Sequence, residues 1–416
     1  MNDMRDYFPF FEYNKDIVYL DNANTSQILG ACLSSYIKYH YYSNYNIGRA
    51  SYTGARHAQQ LKDWALQSAA DFLGTKKDNV IFTSGTTEGL NIIAKSFVSM
   101  FKRMKIKPVI LTTELEHAST ILPWMTLMKD IDIRYIKLTE DYRLTIDNLK
   151  AAIKEYNPDI LILSSMTNTT GEIRPLEEIG KITKENKIVF IVDHAQGATH
   201  APINVDECNI DFLSCSLHKM YGPKGVGILY AKRPEFLRPI KFGGGMNKWF
   251  NKDKEFELLD NNDRFYAGTE NVPSEFCAIE AIAFVRKNWE QIKLHDIYLG
   301  TYLYKLLSRI PQIKIYSVPN SSICLFNIDG FESLDVMNYL DKKNIYIRAG
   351  NHCSKLTGDL FGLATCRVSL GIYNTEEDLI KLYKALKEMI GDELCLSNAR
   401  DQNPVKLENV EQTSVR

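Results

Sequence analysis

The chain is short of net charge. Across 416 residues, 50 Lys and Arg against 51 Asp and Glu leave a formal −1, and no basic run exceeds a few residues. Binding to nucleic acid rests on phosphate neutralisation, and binding to anionic lipid on clustered cations, so the balance argues against both kinds of partner. Long apolar runs are missing too: none approaches the ~20 residues of a bilayer-spanning helix. Residues 1–11 lack a basic stretch followed by an apolar one, so no secretory signal is expected. Eight cysteines are dispersed at 32, 208, 215, 277, 324, 353, 366 and 395 with no Cys-x-x-Cys pair. The expectation is therefore reduced thiols in the cytoplasm. No His-x-x-x-His spacing compensates for the missing thiol pairs, so no metal site is expected. No Gly-Lys-Ser/Thr follows Gly85, which excludes a Walker-type nucleotide loop. No internal repeat is found.

What the chain does have is apolar content, 45% of its residues, enough for a large core and two or three lobes. Strand-like runs begin near Val80, Val109, Ile133, Ile160, Ile188, Phe212 and Val226 and mostly alternate with helical patterns. That order predicts an α/β fold with a mainly parallel sheet and sites at the strand ends. Leu61, Ala65, Ala69 and Phe72 mark the core stripe of a helix over residues 57–72. Residues 31–266 read as this large lobe, preceded by an N-terminal segment, 1–30, that closes over a cleft. Within it, residues 243–264 read as a mobile excursion. Residues 267–395 read as a smaller α+β lobe, with a helix over 278–292, strands near Ile313, Cys324 and 345–347, and helices near Leu334 and from Glu376. Residues 396–416 are polar and read as disordered.

The chemistry gathers at turns after strands. Lys219 lies in the turn 214–227 between two buried runs, with Gly222 and Pro223 closing it and Ser216 and His218 nearby. A lysine desolvated beside another potential cation loses its proton and becomes a nucleophile toward aldehydes. Asp193 ends the apolar run 188–192, followed by Gln196. An acid at the end of a buried parallel strand is costly unless it meets a cation, and a protonated pyridine nitrogen is one. A strand-end aspartate followed by a turn lysine is the pattern of pyridoxal phosphate enzymes. Thr86 and Thr87, between the strand at 80–82 and the helix at 90–101, place hydroxyls and amides at a positive helix end, a phosphate seat as well as an ordinary helix cap. His117 and Asn168 follow two further strands, with readings as ring plate and hydrogen-bonding group or as satisfied turn residues. A second cluster, Arg348 to Cys353 and then Arg367, lies in the small lobe.

Together these stretches carry a resemblance. Asp193-His-Ala-Gln, Ser216-Leu-His-Lys219-Met-Tyr-Gly-Pro, Gly85-Thr-Thr-Glu-Gly, Glu116-His117-Ala, Ala267-Gly-Thr-Glu, Arg348-Ala-Gly-Asn-His-Cys353 and Arg367-Val-Ser-Leu-Gly-Ile-Tyr-Asn-Thr resemble the cysteine desulfurases of the class V aminotransferase fold, specifically the SufS-like group with selenocysteine lyase activity. The likeness covers nearly all of residues 15–392. It implies a fold-type I homodimer that converts L-cysteine, or L-selenocysteine, to alanine. Pyridoxal 5'-phosphate would be held at Lys219, with His117 stacked on the ring, Asp193 on its nitrogen and Gln196 near its phenolic oxygen. Thr87, Ser216 and His218, in the seat begun by Thr86, would hold the phosphate, and Thr269 would reach the phosphate of the neighbouring subunit. Asn168 and Arg367 would clasp the substrate carboxylate, with Arg348 beside them. Lys219 would move the Cα proton and Cys353 would receive the sulfur as a persulfide, for delivery to a thiol-bearing acceptor protein and pathways such as iron–sulfur cluster assembly.

Overall fold

The computed structural model describes residues 4–48, 51–129, 131–362 and 364–391; the expected disordered tail lies outside them. The first strand, β1 (Val18–Tyr19), precedes the large sheet. That sheet contains β2 (Val80–Thr83), β3 (Val109–Thr112), β4 (Asp132–Tyr135), β5 (Ile160–Ser164), β6 (Val189–Asp193), β7 (Phe212–Ser216) and β8 (Gly227–Ala231), ordered β2-β8-β7-β6-β5-β3-β4. Neighbours from β4 through to β7 run parallel, and β8 is antiparallel to both β7 and β2.

The apolar strands are buried on both faces because helices cover both. Leu161, Leu163, Phe190, Val192, Leu213 and Cys215 point into one core, and the alternate residues Ile160, Ile162, Ile191 and Phe212 point into the other. The Thr53–Leu73 helix, whose Leu61 packs in a separate small cluster with Tyr39, Ile47, Ala58 and Val272, lies against the first core with Ala65 and Ala69. At its end Leu73, fully buried, takes the place that the sequence pattern gives to Phe72, which is half-buried.

The stretch 243–264 read as an excursion contains a hairpin, β9 (Asn247–Phe250) against β10 (Phe256–Leu258), fastened by Lys248 and Trp249 Nε1 to the Glu257 carboxylate. One expected element differs. The long helix expected over 278–292 is two, Val272–Lys287 and Trp289–Leu307, because the Asn288 amide donates back to Phe284 O at 2.8 Å and closes the first. Val272–Lys287 packs Cys277, Ala278, Ala281 and Ile282 into the large lobe's core.

The small lobe has an antiparallel sheet ordered β11-β12-β15-β14, where β11 is Ile313–Ile315, β12 is Ile323–Ile328, β14 is Arg348–Gly350 and β15 is Thr365–Ser369; β13 is Ile345–Tyr346. Helices Trp289–Leu307, Ser333–Asp341 and Glu376–Ile390 cover it, the last opened by a capping box between Thr375 and Asp378. β1 pairs in parallel with β13, and Val18 and Leu20 enter this second core. The segment then crosses to the large lobe, where Ser26 N–H donates to His218 O and Leu29 N–H to Tyr221 O.

Candidate active site

A cavity of about 230 Å³ lies between the carboxyl ends of the large-sheet strands and the β14–β15 edge of the small sheet. Lys219 and Asp193 both line it. Lys219 sits in a single helical turn after β7, its carbonyl accepting from Thr199 Oγ1 at 2.8 Å. Burial draws its amine down to about 8; Asp193 opposes this, and Arg367 and Arg348 add to it. Asp193 is sealed from water, with Oδ1 accepting from Ala195 N–H and Oδ2 from Thr120 Oγ1, both at 3.0 Å. Desolvation raises its pKa in spite of those bonds. A cationic ring nitrogen is the partner that would reverse that.

His117 caps the Ala118–Leu127 helix, its Nδ1 accepting from Ser119 N–H at 3.1 Å, so Nε2 carries the ring proton. Burial first, then the nearby cations, lower its pKa to about 4, so the ring is neutral at physiological pH. Gln196 Nε2 donates to Ala23 O at 2.7 Å. On the floor, Ser216 Oγ accepts from Thr86 N–H at 2.8 Å and shares a proton with Thr86 Oγ1 at 2.7 Å, and Thr87 Oγ1 meets Ser119 Oγ at 2.8 Å. This hydroxyl cluster caps the Thr86–Met104 helix. The floor is close because it has no side chains at two glycines: a Cβ on Gly227 would meet Gly85 Cα at 2.5 Å. Lysine, buried carboxylate, flat neutral imidazole and hydroxyls at a helix N-terminus form a donor set that fits a phosphorylated pyridine aldehyde.

From the small lobe come Arg348, Arg367 and Cys353. The arginines are direct cross-strand partners on β14 and β15. Arg367 is buried; Nη2 donates to Asp21 Oδ1 at 3.1 Å, Nη1 to Asn168 O at 2.9 Å, and Nε has no partner. Desolvation lowers its pKa to about 10. Arg348 Nη2 lies 3.4 Å from the exposed Cys353 Sγ.

A family model described as "Aminotransferase class-V" matches residues 18–382. The chain belongs to that family. Among its curated relatives are a probable cysteine desulfurase of Ureaplasma parvum, 32% identical over 95% of this chain and 99% of that one, and a cysteine desulfurase of Wigglesworthia glossinidia brevipalpis, 33% identical over 93% and 96%. Similar solved structures include the apo cysteine desulfurase of Thermococcus onnurineus (TM-score 0.87, 27% identity, covering 94% of this chain and 98% of that one). The cysteine desulfurase CsdA of Escherichia coli, in an S-sulfonic acid form, gives a TM-score of 0.82 at 26% identity over 93% and 97%.

In this member of the class-V aminotransferase family the cavity gathers Thr86, Thr87, His117, Asn168, Asp193, Gln196, Ser216, His218, Lys219, Arg348, Cys353 and Arg367. Thr269 is exposed and does not line the cavity of its own chain. Cys215 and Cys366 are buried, small apolar groups in function. The structure also brings in Asn24, Ser119, Ser164, Met166 and His352, and behind them Asp21. The polar strand-end clusters hinted at Ser119 and Ser164, whereas no local pattern ties Asp21 to Arg367, 346 residues away.

Proposed function

We propose that this chain is a pyridoxal phosphate-dependent cysteine desulfurase that takes sulfur from L-cysteine onto Cys353 and leaves L-alanine. The observation that carries this reading is one cavity shared by a lysine with a lowered pKa, a sealed carboxylate, two arginines and an exposed thiol. Lys219 would hold the aldehyde, Asp193 the ring nitrogen, His117 a ring face, and Thr86, Thr87, Ser216 and His218 the phosphate. When bound, the group supplies an electron sink for charge developing at the substrate Cα.

This chain's own residues supply the rest. The Arg367 and Arg348 guanidinium groups attract the substrate carboxylate, and the unpartnered Arg367 Nε is a donor for it. The Lys219 amine, neutral above about pH 8, takes the Cα proton and returns a proton to the product. Cys353 Sγ attacks the substrate sulfur: the Cβ–S bond breaks, an S–S bond forms, and the thiol proton balances the new C–H of alanine. The persulfide is then open to an acceptor thiol, because Cys353 faces outward. L-selenocysteine carries the same backbone groups and is a second substrate. Thr269 gains a role if two copies associate so that it reaches the other's cavity, and we infer a homodimer working in the reducing cytoplasm. The seven cysteines of the described residues are all free thiols, and no described helix is long and apolar enough to cross a membrane.

The test is a mass measurement of the Cys353 peptide after adding cysteine, beside the visible spectrum. Wild-type protein is expected to gain one sulfur atom there and to be yellow. Cys353→Ser should keep the colour and lose sulfur transfer by at least ~100-fold. Full alanine production by that variant would instead assign a lyase that releases sulfide.

A further inference from the structure

The turn that presents Cys353 is held in an unusual backbone state. His352 (φ 50°) and Cys353 (φ 57°) both occupy the left-handed region in succession, and neither is glycine. Such a pair persists only where the surroundings over-determine it.

Those surroundings centre on the Asn168 side chain. Its Nδ2 donates to His352 O at 2.8 Å, and its Oδ1 accepts from Ser354 Oγ at 3.0 Å, so one amide grips the residues on either side of the cysteine. Further braces close the turn. Ala118 N–H donates to Cys353 O and Ser354 N–H to Asn351 O, each at 2.8 Å, and His352 Nε2 lies 2.9 Å from Thr365 Oγ1. His352, Ser354 and Asn168 are buried, and only the cysteine of the turn's centre faces out. Nδ2 carries a second N–H, so Asn168 can hold the turn and still donate to a group in the cavity it lines. An unmet Oδ1 in that dry position is costly.

We propose that Asn168 and Ser354 form a clamp that positions the Cys353 thiol, so that Ser354 governs the sulfur-transfer half of the reaction and not the Cα proton half. This rests on the reading that Cys353 accepts the sulfur. Ser354 is a positioning residue: it acts through Asn168 and the backbone of the turn.

The full-length holoenzyme tests it with Ser354→Ala and the hydroxyl-retaining Ser354→Thr. Three quantities are read: amide hydrogen exchange of the peptide spanning 351–354, persulfide formed on Cys353 per unit time, and solvent deuterium exchange at Cα of L-alanine. Ser354→Ala should speed amide exchange in that peptide about tenfold and slow persulfide formation about tenfold, while Cα exchange stays within about twofold. Ser354→Thr should restore the first two. A parallel loss of Cα exchange, or unchanged amide exchange and persulfide rate, overturns the clamp. If Ser354→Ala does not fold, Ser354→Gly, which removes the same hydroxyl from Asn168 Oδ1, reads the same split. Absence of sulfur on wild-type Cys353 would sink the desulfurase reading, while the amide-exchange comparison would still decide the clamp.

Discussion

Arg348 and Arg367 face each other across β14 and β15, an arrangement that repels unless anions intervene. Asp21 provides one fixed anion, and a substrate carboxylate would provide another. Burial, then Lys219, and then the same two arginines keep His117 neutral, as a ring plate must be if it is not to repel a protonated pyridine. The arginines also help draw Lys219 down to about 8, which has a measurable consequence. In protein stripped of cofactor, the rate of pyridoxal phosphate capture should climb about tenfold per pH unit below pH 8 and level off above it, followed as growth of visible absorbance. A flat profile would show that the amine is already neutral throughout. At this scale the sequence was informative wherever chemistry follows a strand, because a charged residue ending an apolar run is visible locally. It marked Asp21–Asn24 as a turn that could bring the N-terminal segment over the cleft, or as an ordinary Asx-turn, but not the pairing of Asp21 with Arg367, which only the fold creates.

Among the elements, the loops after β3 and β5 are joined beneath the cavity by a dry ion pair. Arg174 Nη1 lies 2.5 Å from Glu116 Oε1, Glu116 Oε2 accepts from Ser164 N–H at 2.7 Å, and Arg174 Nη2 donates to Thr113 Oγ1 at 2.9 Å. Glu116 precedes His117, so the network fixes the backbone from which the ring plate projects. Removing one member leaves the other charged and buried, at a cost of ~3–5 kcal/mol. Arg174→Met is therefore expected to lower stability by about that amount in chemical denaturation, whereas removing both charges together should cost less. The helix and strand order was legible from periodicity, and the polar residues singled out at the strand ends line one cavity. The antiparallel sense of β8 and the break at Asn288 were not, since one depends on strand neighbours distant in sequence and the other on a single side chain folding back.

At the scale of the whole molecule, two cores meet at the cavity, and one buried cluster beside the large core carries a pH signature. Lys62, buried, pairs with Glu270 and lies 3.6 Å from the centre of the Tyr266 ring, and Glu275 stands nearby with Oε2 unpartnered. Desolvation lifts Glu275 to about 8, opposed by Lys62 and reinforced by Glu270. An unfolded glutamate titrates near ~4.3, so between the two values the folded chain keeps a proton that the unfolded chain has lost. Its stabilising contribution is complete below the lower value and fades as pH rises through the upper one. Melting temperature should accordingly fall between about pH 5 and about pH 8, and Glu275→Gln should flatten that decline. The lobe boundary read at 266/267 assigns Val272–Lys287 to the small lobe, whereas its apolar side chains enter the large core, a contact with residues distant in sequence. That β1 belongs with the small core could not be read ahead, because two residues of strand match many partners equally well.

That N-terminal strap has a consequence for how the molecule is made. Asn22 Nδ2 donates to Ser369 O, 347 residues further along, and the same stretch staples itself to the Lys219 turn. During synthesis it emerges early and must wait, unpaired, until almost the whole polypeptide has left the ribosome. The reactive centre is thus completed only after β15 has emerged, and a chain truncated before β15 lacks Arg367.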